Sequence, residues 1–425
     1  MRASYAILTQ DPTTNIISGL SGNPPFALPI NVAAVGITLE NPASAITRVS
    51  LGPSSINPNF DNMYAQDWNL TVERQLTSSL GLTLAYVGVK GTHLQISENV
   101  NQPLVTDGFY GTARPFLTLP ISSPILPAQC AAPNPTCTYG NIPQIDSPGN
   151  SNYNAVWATL NKHFSRGFEF LASYTYSKSF DYSSISSGDL VPLQNAYNPR
   201  GDYGPSEFDV RNRFVLSGFY ELPFKANRLV SGWQFGIVSQ AQSGSPLTPL
   251  LSINTGTGTT LTVRPNQLQR VTPTGNPHQF YNNPVICEPF NGTPTGTAPA
   301  IPNCATTTNA AFAVPCTFSD IPTTPGSNNY PVVPGSCTPG DMQRDGLRGP
   351  DFVNTDFSIV KNTKITERVN LQFRSEFFDI FNHPNFGNPN NTVTAASFGQ
   401  ITSTRFPAGD FGSAREIQFA LKLIF

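Results

Sequence analysis

Charge is scarce in this chain. Asp, Glu, Lys and Arg make up 12% of its 425 residues, about half of the usual share in soluble domains. What charge there is nearly cancels, to −2 at pH 7, so no basic field is present to attract a nucleic acid. Long apolar runs are lacking too: none approaches the ~20 residues of a transmembrane helix. The opening, Met-Arg-Ala-Ser-Tyr-Ala-Ile-Leu-Thr-Gln-Asp, lacks the continuous apolar core of a signal peptide. Chemistry-bearing motifs are equally thin. His93, His163, His278 and His383 are scattered, with no pair at metal spacing. Neither Gly-x-Ser-x-Gly nor a phosphate-cradling glycine loop occurs. The expectation is a protein that is not an enzyme and has no cofactor.

Proline (40) and glycine (33) are abundant, with Asn, Ser and Thr filling much of the remainder. All of these disfavour helix interiors, and the mixture suits short strands separated by long polar loops. The cysteines, Cys130, Cys137, Cys287, Cys304, Cys316 and Cys337, all lie in Pro-rich stretches without periodicity. An even number of loop cysteines fits disulfides in an oxidising compartment. Six allow 15 connectivities; Cys130 with Cys137 is the expected pair.

The clearest order is at the end. In Ser413 to Phe425, residues Ile417, Phe419, Leu421, Leu423 and Phe425 fall on one face of a strand, and Glu416, Gln418, Ala420 and Lys422 on the other. The same alternation recurs upstream as hairpins. Trp68, Leu70 and Val72 lead to a turn at Thr77-Ser78-Ser79 and return through Leu80, Leu82, Leu84 and Tyr86. Val156 to Phe164 turn at Ser165-Arg166-Gly167 into Phe168, Phe170, Ala172, Tyr174 and Tyr176. A third pair joins Phe214–Leu222 to Trp233–Ile237, and a fourth joins Phe357 and Ile359 to Val369–Phe377. Between the hairpins lie long segments without periodicity, at about 92–152, 180–207, 244–350 and 381–412.

Connections thus alternate short and long, as in outer-membrane barrels with short periplasmic turns and long external loops. Basic residues interrupt the apolar face at Arg74, Lys162, Lys178 and Lys361, each within a few residues of a strand end. In a barrel that is the interface, where Lys or Arg costs about 0–1 kcal/mol against roughly 2–4 at mid-bilayer. A soluble β-sandwich gives no reason for that placement. The fold class is therefore all-β, an antiparallel transmembrane β-barrel of roughly ten strands, with outer-membrane lipid as a partner. Residues 1–64 read as a strand and an external loop, and 65–425 as barrel.

Several phrases carry a resemblance. Asn161-Lys162-His163-Phe164-Ser165-Arg166-Gly167, Ala172-Ser173-Tyr174-Thr175-Tyr176-Ser177-Lys178-Ser179 and Phe208-Asp209-Val210-Arg211-Asn212-Arg213-Phe214 are three of them. The most specific is Leu347-Arg348-Gly349-Pro350, followed by Leu371-Gln372-Phe373-Arg374-Ser375-Glu376-Phe377-Phe378-Asp379-Ile380-Phe381-Asn382-His383-Pro384-Asn385-Phe386-Gly387. Over about residues 60–425 the chain resembles the C-terminal barrel of TonB-dependent outer-membrane transporters, in particular the Oar-like group common in acidobacteria. That resemblance implies uptake of a scarce solute (siderophore, corrinoid, glycan or peptide), with a plug domain and TonB as partners. No plug is found in the sequence, so the chain looks like the C-terminal part of such a transporter. A passive porin-like or adhesin barrel without a plug is the alternative.

The resemblance also places Glu73, Glu169, Arg374, Glu376, Glu416 and Lys422 in the lumen, facing the plug. Outer-membrane barrels commonly reach the assembly machinery through a last strand ending in an aromatic, a role for which Phe419, Leu421, Leu423 and Phe425 are placed. Two charged clusters stand where long loops re-enter strands: Arg200, Asp202, Glu207, Asp209, Arg211 and Arg213, and Asp341, Arg344, Asp345, Arg348 and Asp351. They are expected to be solvated ion pairs shaping the loop bases, weak individually. His383-Pro384-Asn385 reads as a turn leaving a strand.

Overall fold

The computed structural model describes residues 1–12, 14–23, 49–102, 105–106, 109–110, 114–116, 137–139, 141–184, 193–224, 227–254, 260–282, 286–287, 312–313, 340–393, 395, 397–405 and 414–425. Ten long strands dominate: β1 Arg2–Gln10, β2 Met63–Thr77, β3 Leu80–Asn99, β4 Pro143–Ser165, β5 Phe168–Asp181, β6 Asn212–Glu221, β7 Trp233–Gln242, β8 Phe352–Lys364, β9 Asn370–Phe378 and β10 Glu416–Ile424. Each pairs antiparallel with its neighbour in sequence, and β1 and β10 are the edges of the described sheet. The architecture is an up-and-down meander of outer-membrane barrel type, open among the described residues.

The alternation of connections holds. Ser78–Ser79 and Arg166–Gly167 are two-residue turns, and 222–232 and 365–369 are the other short ones. Arg166 and Gly167 both have positive φ, 56° and 80°. That is the type I′ geometry whose twist matches the flanking strands. The long connections leave and re-enter the sheet on the opposite, external side, between Gln10 and Met63, Asn99 and Pro143, Asp181 and Asn212, Gln242 and Phe352, and Phe378 and Glu416.

Register assigns the two faces. One row runs Phe168, Tyr220, Phe235, Ile359, Ser375, Phe419 across β5 to β10. One residue further along the same strands, the row is Glu169, Phe219, Gly236, Ser358, Glu376, Gln418. The first is almost wholly apolar and faces lipid; the second is mostly polar or small and faces the lumen. A slip of one residue would exchange them. Phe419 and Leu421 are 66% and 69% exposed in the chain alone, as befits side chains whose natural solvent is hydrocarbon.

The lipid-facing lysines are satisfied by the short turns. Lys162 donates from Nζ to Ser79 Oγ (2.5 Å) and Ser165 Oγ (2.7 Å). Lys361 donates to the carbonyls of Arg228 (2.8 Å) and Ser231, with its ammonium 5.4 Å from the Trp233 ring centre. At the external rim Lys178 lies 4.7 Å over Phe180. Below it, Tyr86 and Tyr174 donate their hydroxyls to Asn154 Oδ1 (2.6 Å) and Asn212 Oδ1 (2.7 Å). Apolar stems in lipid and polar tips at its boundary give the aromatic girdle of such barrels.

The structure corrects the expected extent of the loops. The segment at 92–152 is not irregular throughout, since β3 runs on to Asn99 and β4 begins at Pro143. Their pairing continues through Leu94↔Gly149 and Ile96↔Asp146, with register shifts. Above the bilayer both faces meet water or other loops, so nothing enforces period two there, although the backbone ladder persists. The fully buried apolar side chains also gather on that side. Ile96, Tyr281, Met342 and Val393 are each no more than 2% exposed. The external segments around 244–282 and 385–405 are joined by the bridge Leu250↔Thr392 and by Phe280 N donating to Gly399 O (3.0 Å). The water-driven hydrophobic core is therefore an external cap, while the membrane band keeps its apolar groups outward.

Neighbouring positions on β10 separate the two solvents. Leu421→Arg puts a guanidinium in mid-bilayer and should cost roughly 2–4 kcal/mol of barrel stability, whereas Ala420→Arg should cost much less. Heat-modifiable mobility of the detergent-folded protein across denaturant measures both. Equal losses would mean that β10 has no lipid face.

Candidate functional site

The two charged clusters expected at separate loop bases are one network, and it is buried. Arg344, in the segment re-entering β8, donates from Nε to the Asp202 carbonyl (3.0 Å) and from Nη1 to Asp345 Oδ2 (2.8 Å). Its Nη2 reaches the Asp181 carbonyl (2.7 Å) and also pairs with the Asp181 carboxylate. Arg348 pairs with the Asp209 carboxylate and donates to the Asp209 carbonyl (2.8 Å). Asp209 Oδ1 also accepts the Ser179 amide (2.7 Å), which ties the cluster to β5. Arg211 stands 3.9 Å from Asp209. Arg264 pairs with the Asp202 carboxylate and donates to the Gly201 carbonyl (3.0 Å).

The expectation of solvated pairs is thereby corrected: Asp181, Asp202, Asp209, Arg264 and Asp345 are all buried. Packing of the cap over the loop bases removes the water. A buried charge missing its partner costs about 3–5 kcal/mol, so these pairs lock geometry more than they add stability. Close backbone approach completes the lock, because a Cβ on Gly204 would lie 2.4 Å from the Arg344 carbonyl. Asp181 and Arg264 carry no signal in the sequence, since neither stands in a charged run. Asp341 and Asp351 instead accept backbone amides, from Gln267 and Gly244 (2.8 Å each). No ion pair links Arg200, Glu207 or Arg213 to the network among the described residues.

Asp345 is the tense member. Its φ is +54°, a left-handed conformation uncommon for a residue other than glycine. Burial pushes its carboxyl up to about 6, although Arg344 beside it and the Thr248 hydroxyl bond (2.8 Å) pull it down; Glu207 and Asp181 add to the rise. Burial likewise raises the phenol of Tyr281, which donates to the Arg348 carbonyl (3.0 Å) in the cap.

This network forms part of the wall of an external cavity of about 720 Å³, within the size range of small-molecule sites. About half of its lining residues carry amides or hydroxyls, among them Asn99, Asn141, Gln194, Asn388 and Tyr182. A second hollow of about 600 Å³ lies on the lumen face and includes Glu169, Arg374 and Glu376, three of the six expected lumen residues. Arg374 donates to Glu376 Oε1 at 2.8 Å. Glu73 pairs instead with Arg2 at 2.6 Å on the exposed surface, and Glu416 and Lys422 lie on the edge strand β10.

On β10, Phe419, Leu421 and Leu423 share the lipid face, and Phe425 follows the strand at 94% exposure. The expected Cys130–Cys137 pairing lies outside the described residues. At the His383-Pro384-Asn385 turn, the His383 amide donates to Asp379 Oδ1 (3.1 Å) and Asn385 Oδ1 accepts the Val353 amide (2.9 Å), so these residues tie off β9.

The family description "Outer membrane beta barrel domain" matches residues 1–418. No curated protein matches the chain in sequence. Among solved structures, the outer membrane transporter YddB from Escherichia coli is similar at 8% identity and a TM-score of 0.39, over 88% of this chain and 34% of its own. The ferric preacinetobactin receptor BauA from Acinetobacter baumannii is similar at 10% identity and a TM-score of 0.37, over 86% and 30%. The ferripyoverdine receptor of the outer membrane of Pseudomonas aeruginosa, bound to ferripyoverdine, is similar at 12% and 0.35, over 86% and 27%. The chain thus spans about a third, or less, of the length of these proteins.

Asp345 makes the rim sensitive to pH. Its carboxyl is raised on folding, so the stability it contributes is full below the unfolded value near 3.9 and is lost as pH rises through about 6. Amide protection of residues 341–349, corrected for intrinsic exchange, should fall between pH 4 and 7 by on the order of 3 kcal/mol of opening free energy. Asp345→Asn should flatten that slope; equal slopes in the two proteins would remove Asp345 as its source.

Proposed function

The chain belongs to the outer membrane β-barrel domain family, and from that premise we propose that it is the barrel portion of a TonB-dependent transporter taking up a scarce solute. Its location is the outer membrane. The observation that carries the reading is the external cavity of about 720 Å³, held open by the buried Arg344 network at the mouth of the sheet. A structural or adhesive barrel has no need for a polar chamber walled by fixed charges. In this reading residues 65–425 are barrel, and 1–64 supply a strand and an external loop.

The roles of the remaining residues follow from that proposal. Glu169, Arg374 and Glu376 face a plug domain across the lumen, with Glu73, Glu416 and Lys422 on the same face. Solute held at the mouth passes when TonB pulls on the plug, which couples entry to the inner-membrane proton gradient. The last strand delivers the barrel to its assembly machinery through Phe419, Leu421, Leu423 and Phe425. An edge strand with an apolar outer face can add to a partner sheet through its backbone groups while those side chains enter lipid.

The energetic coupling is measurable in cells carrying the protein with its plug. Solute should accumulate above its outside concentration, and collapse of the proton gradient should abolish accumulation. Entry that persists unchanged after collapse would identify a passive porin-like barrel instead.

A further inference from the structure

The lipid face is notched. In the row Phe170, Gly218, Ile237, Phe357 across β5 to β8, Gly218 offers no side chain. Nor can one be added: a Cβ there would lie 2.8 Å from the Glu169 carbonyl oxygen and 2.9 Å from Phe170 Cβ. Aromatic rings rise on both sides of the gap. Phe168 packs on Phe170 and Tyr220, with ring centres 5.4 and 6.1 Å apart, and Phe235 stacks on Phe357 at 5.8 Å. Between these walls is a hollow of about 380 Å³ whose lining is almost wholly apolar. A polar occupant would lose its hydrogen bonds there, so hydrocarbon fills it.

The position of the hollow selects the leaflet. Phe168 opens β5 and Tyr220 is the penultimate residue of β6, so the notch lies at the short-turn, periplasmic end of the strands. Two turns stand just beyond it, tied together by Glu221 N donating to Gly167 O (2.7 Å). One carries Arg166 and the other Arg228. Both arginines are exposed, and neither guanidinium has an ion pair or hydrogen bond among the described residues. The acids flanking these turns, Glu169 and Glu221, belong to the opposite, lumen row. Phe224 and Leu229, in the second turn, are exposed apolar side chains, as suits a turn that dips into the headgroup layer. Unpaired positive charge beside an apolar hollow matches the two ends of one molecule. We infer that this is a binding site for an anionic phospholipid of the periplasmic leaflet. One acyl chain lies in the notch at Gly218, and the phosphate sits between Arg166 and Arg228. A zwitterionic headgroup would bring its own cation back to the arginines, whereas each basic residue favours an anionic lipid by about fivefold. The inference needs the membrane location alone and does not depend on the transport reading.

Native mass spectrometry of the full chain folded in detergent tests it. The chain is titrated with phosphatidylglycerol, with phosphatidylethanolamine of the same acyl chains, and with glycerol 3-phosphate as a headgroup without a tail. One phosphatidylglycerol should be retained per chain, at least tenfold tighter than phosphatidylethanolamine, and glycerol 3-phosphate should not displace it. Arg166→Asn combined with Arg228→Gln should abolish that preference; Asn tolerates the positive φ of the turn. Ile237→Trp, which fills the notch from β7, should weaken phosphatidylglycerol by tenfold or more with both arginines in place. Unchanged heat-modifiable mobility verifies the folding of each variant. Equal retention of the two lipids, displacement by glycerol 3-phosphate, or binding unmoved by either variant would overturn the inference. So would a mass of two chains carrying no lipid, which would assign the notch to a second copy.

Discussion

The long strands of this chain answer to one constraint: in hydrocarbon a backbone amide or carbonyl has no water to fall back on, so each must find a partner strand. The unbroken antiparallel path from Arg2–Gln10 to Glu416–Ile424 is the solution. Once pairing is obligatory, side chains have only two directions, and the choice of lipid or lumen is made at every second residue. The external cap obeys a different physics. There water is present, apolar side chains cluster inward, and Tyr281, Met342 and Val393 disappear from the surface. Two opposite hydrophobic arrangements thus meet in one chain, and the Arg344 network lies where one gives way to the other.

That division explains how much could be read from the residues alone. The row Phe168, Phe170, Ala172, Tyr174, Tyr176 is legible because lipid enforces strict alternation, and its partner row in β6 confirms the direction. The turn at Arg166–Gly167 is legible because few residues tolerate positive φ. The outward lysines are legible because mid-bilayer is closed to them. Above the membrane these rules lapse. Nothing local announces that the strand beginning at Pro143 keeps pairing where its neighbour reads Leu94 and Ile96.

The mouth was the least legible part for a related reason. Asp181 and Arg344 stand 163 residues apart, and Asp202 and Arg264 stand 62 apart. Asp181 and Arg264 each look like an isolated polar residue, and period and propensity are blind to such distances. The charged runs around Asp209 and Arg348 were visible, but their burial was not, because burial depends on a cap assembled from several loops. The lumen residues are an intermediate case. Their face followed from alternation, yet only the register shows Glu169 and Glu376 in one row, with Arg374 beside them around a common hollow.

The lysines seated in the short turns also make the sheet a ruler. On β4 the outward-facing Asn154 and Lys162 bracket Val156, Ala158 and Leu160. Eight steps of about 3.4 Å, tilted by about 40°, span about 21 Å. A bilayer of average thickness, about 30 Å of hydrocarbon, would have to thin by several ångströms around such a band; the bacterial outer membrane is thinner than average. Mismatch costs fractions of a kcal/mol per ångström, and the charge is repeated around the whole perimeter of the sheet. Lys162 and Lys361, held by hydroxyls and carbonyls of the turns, cannot easily give way. Thickness sorting is thus built into the spacing of polar residues along the strands, independently of any address read by a receptor.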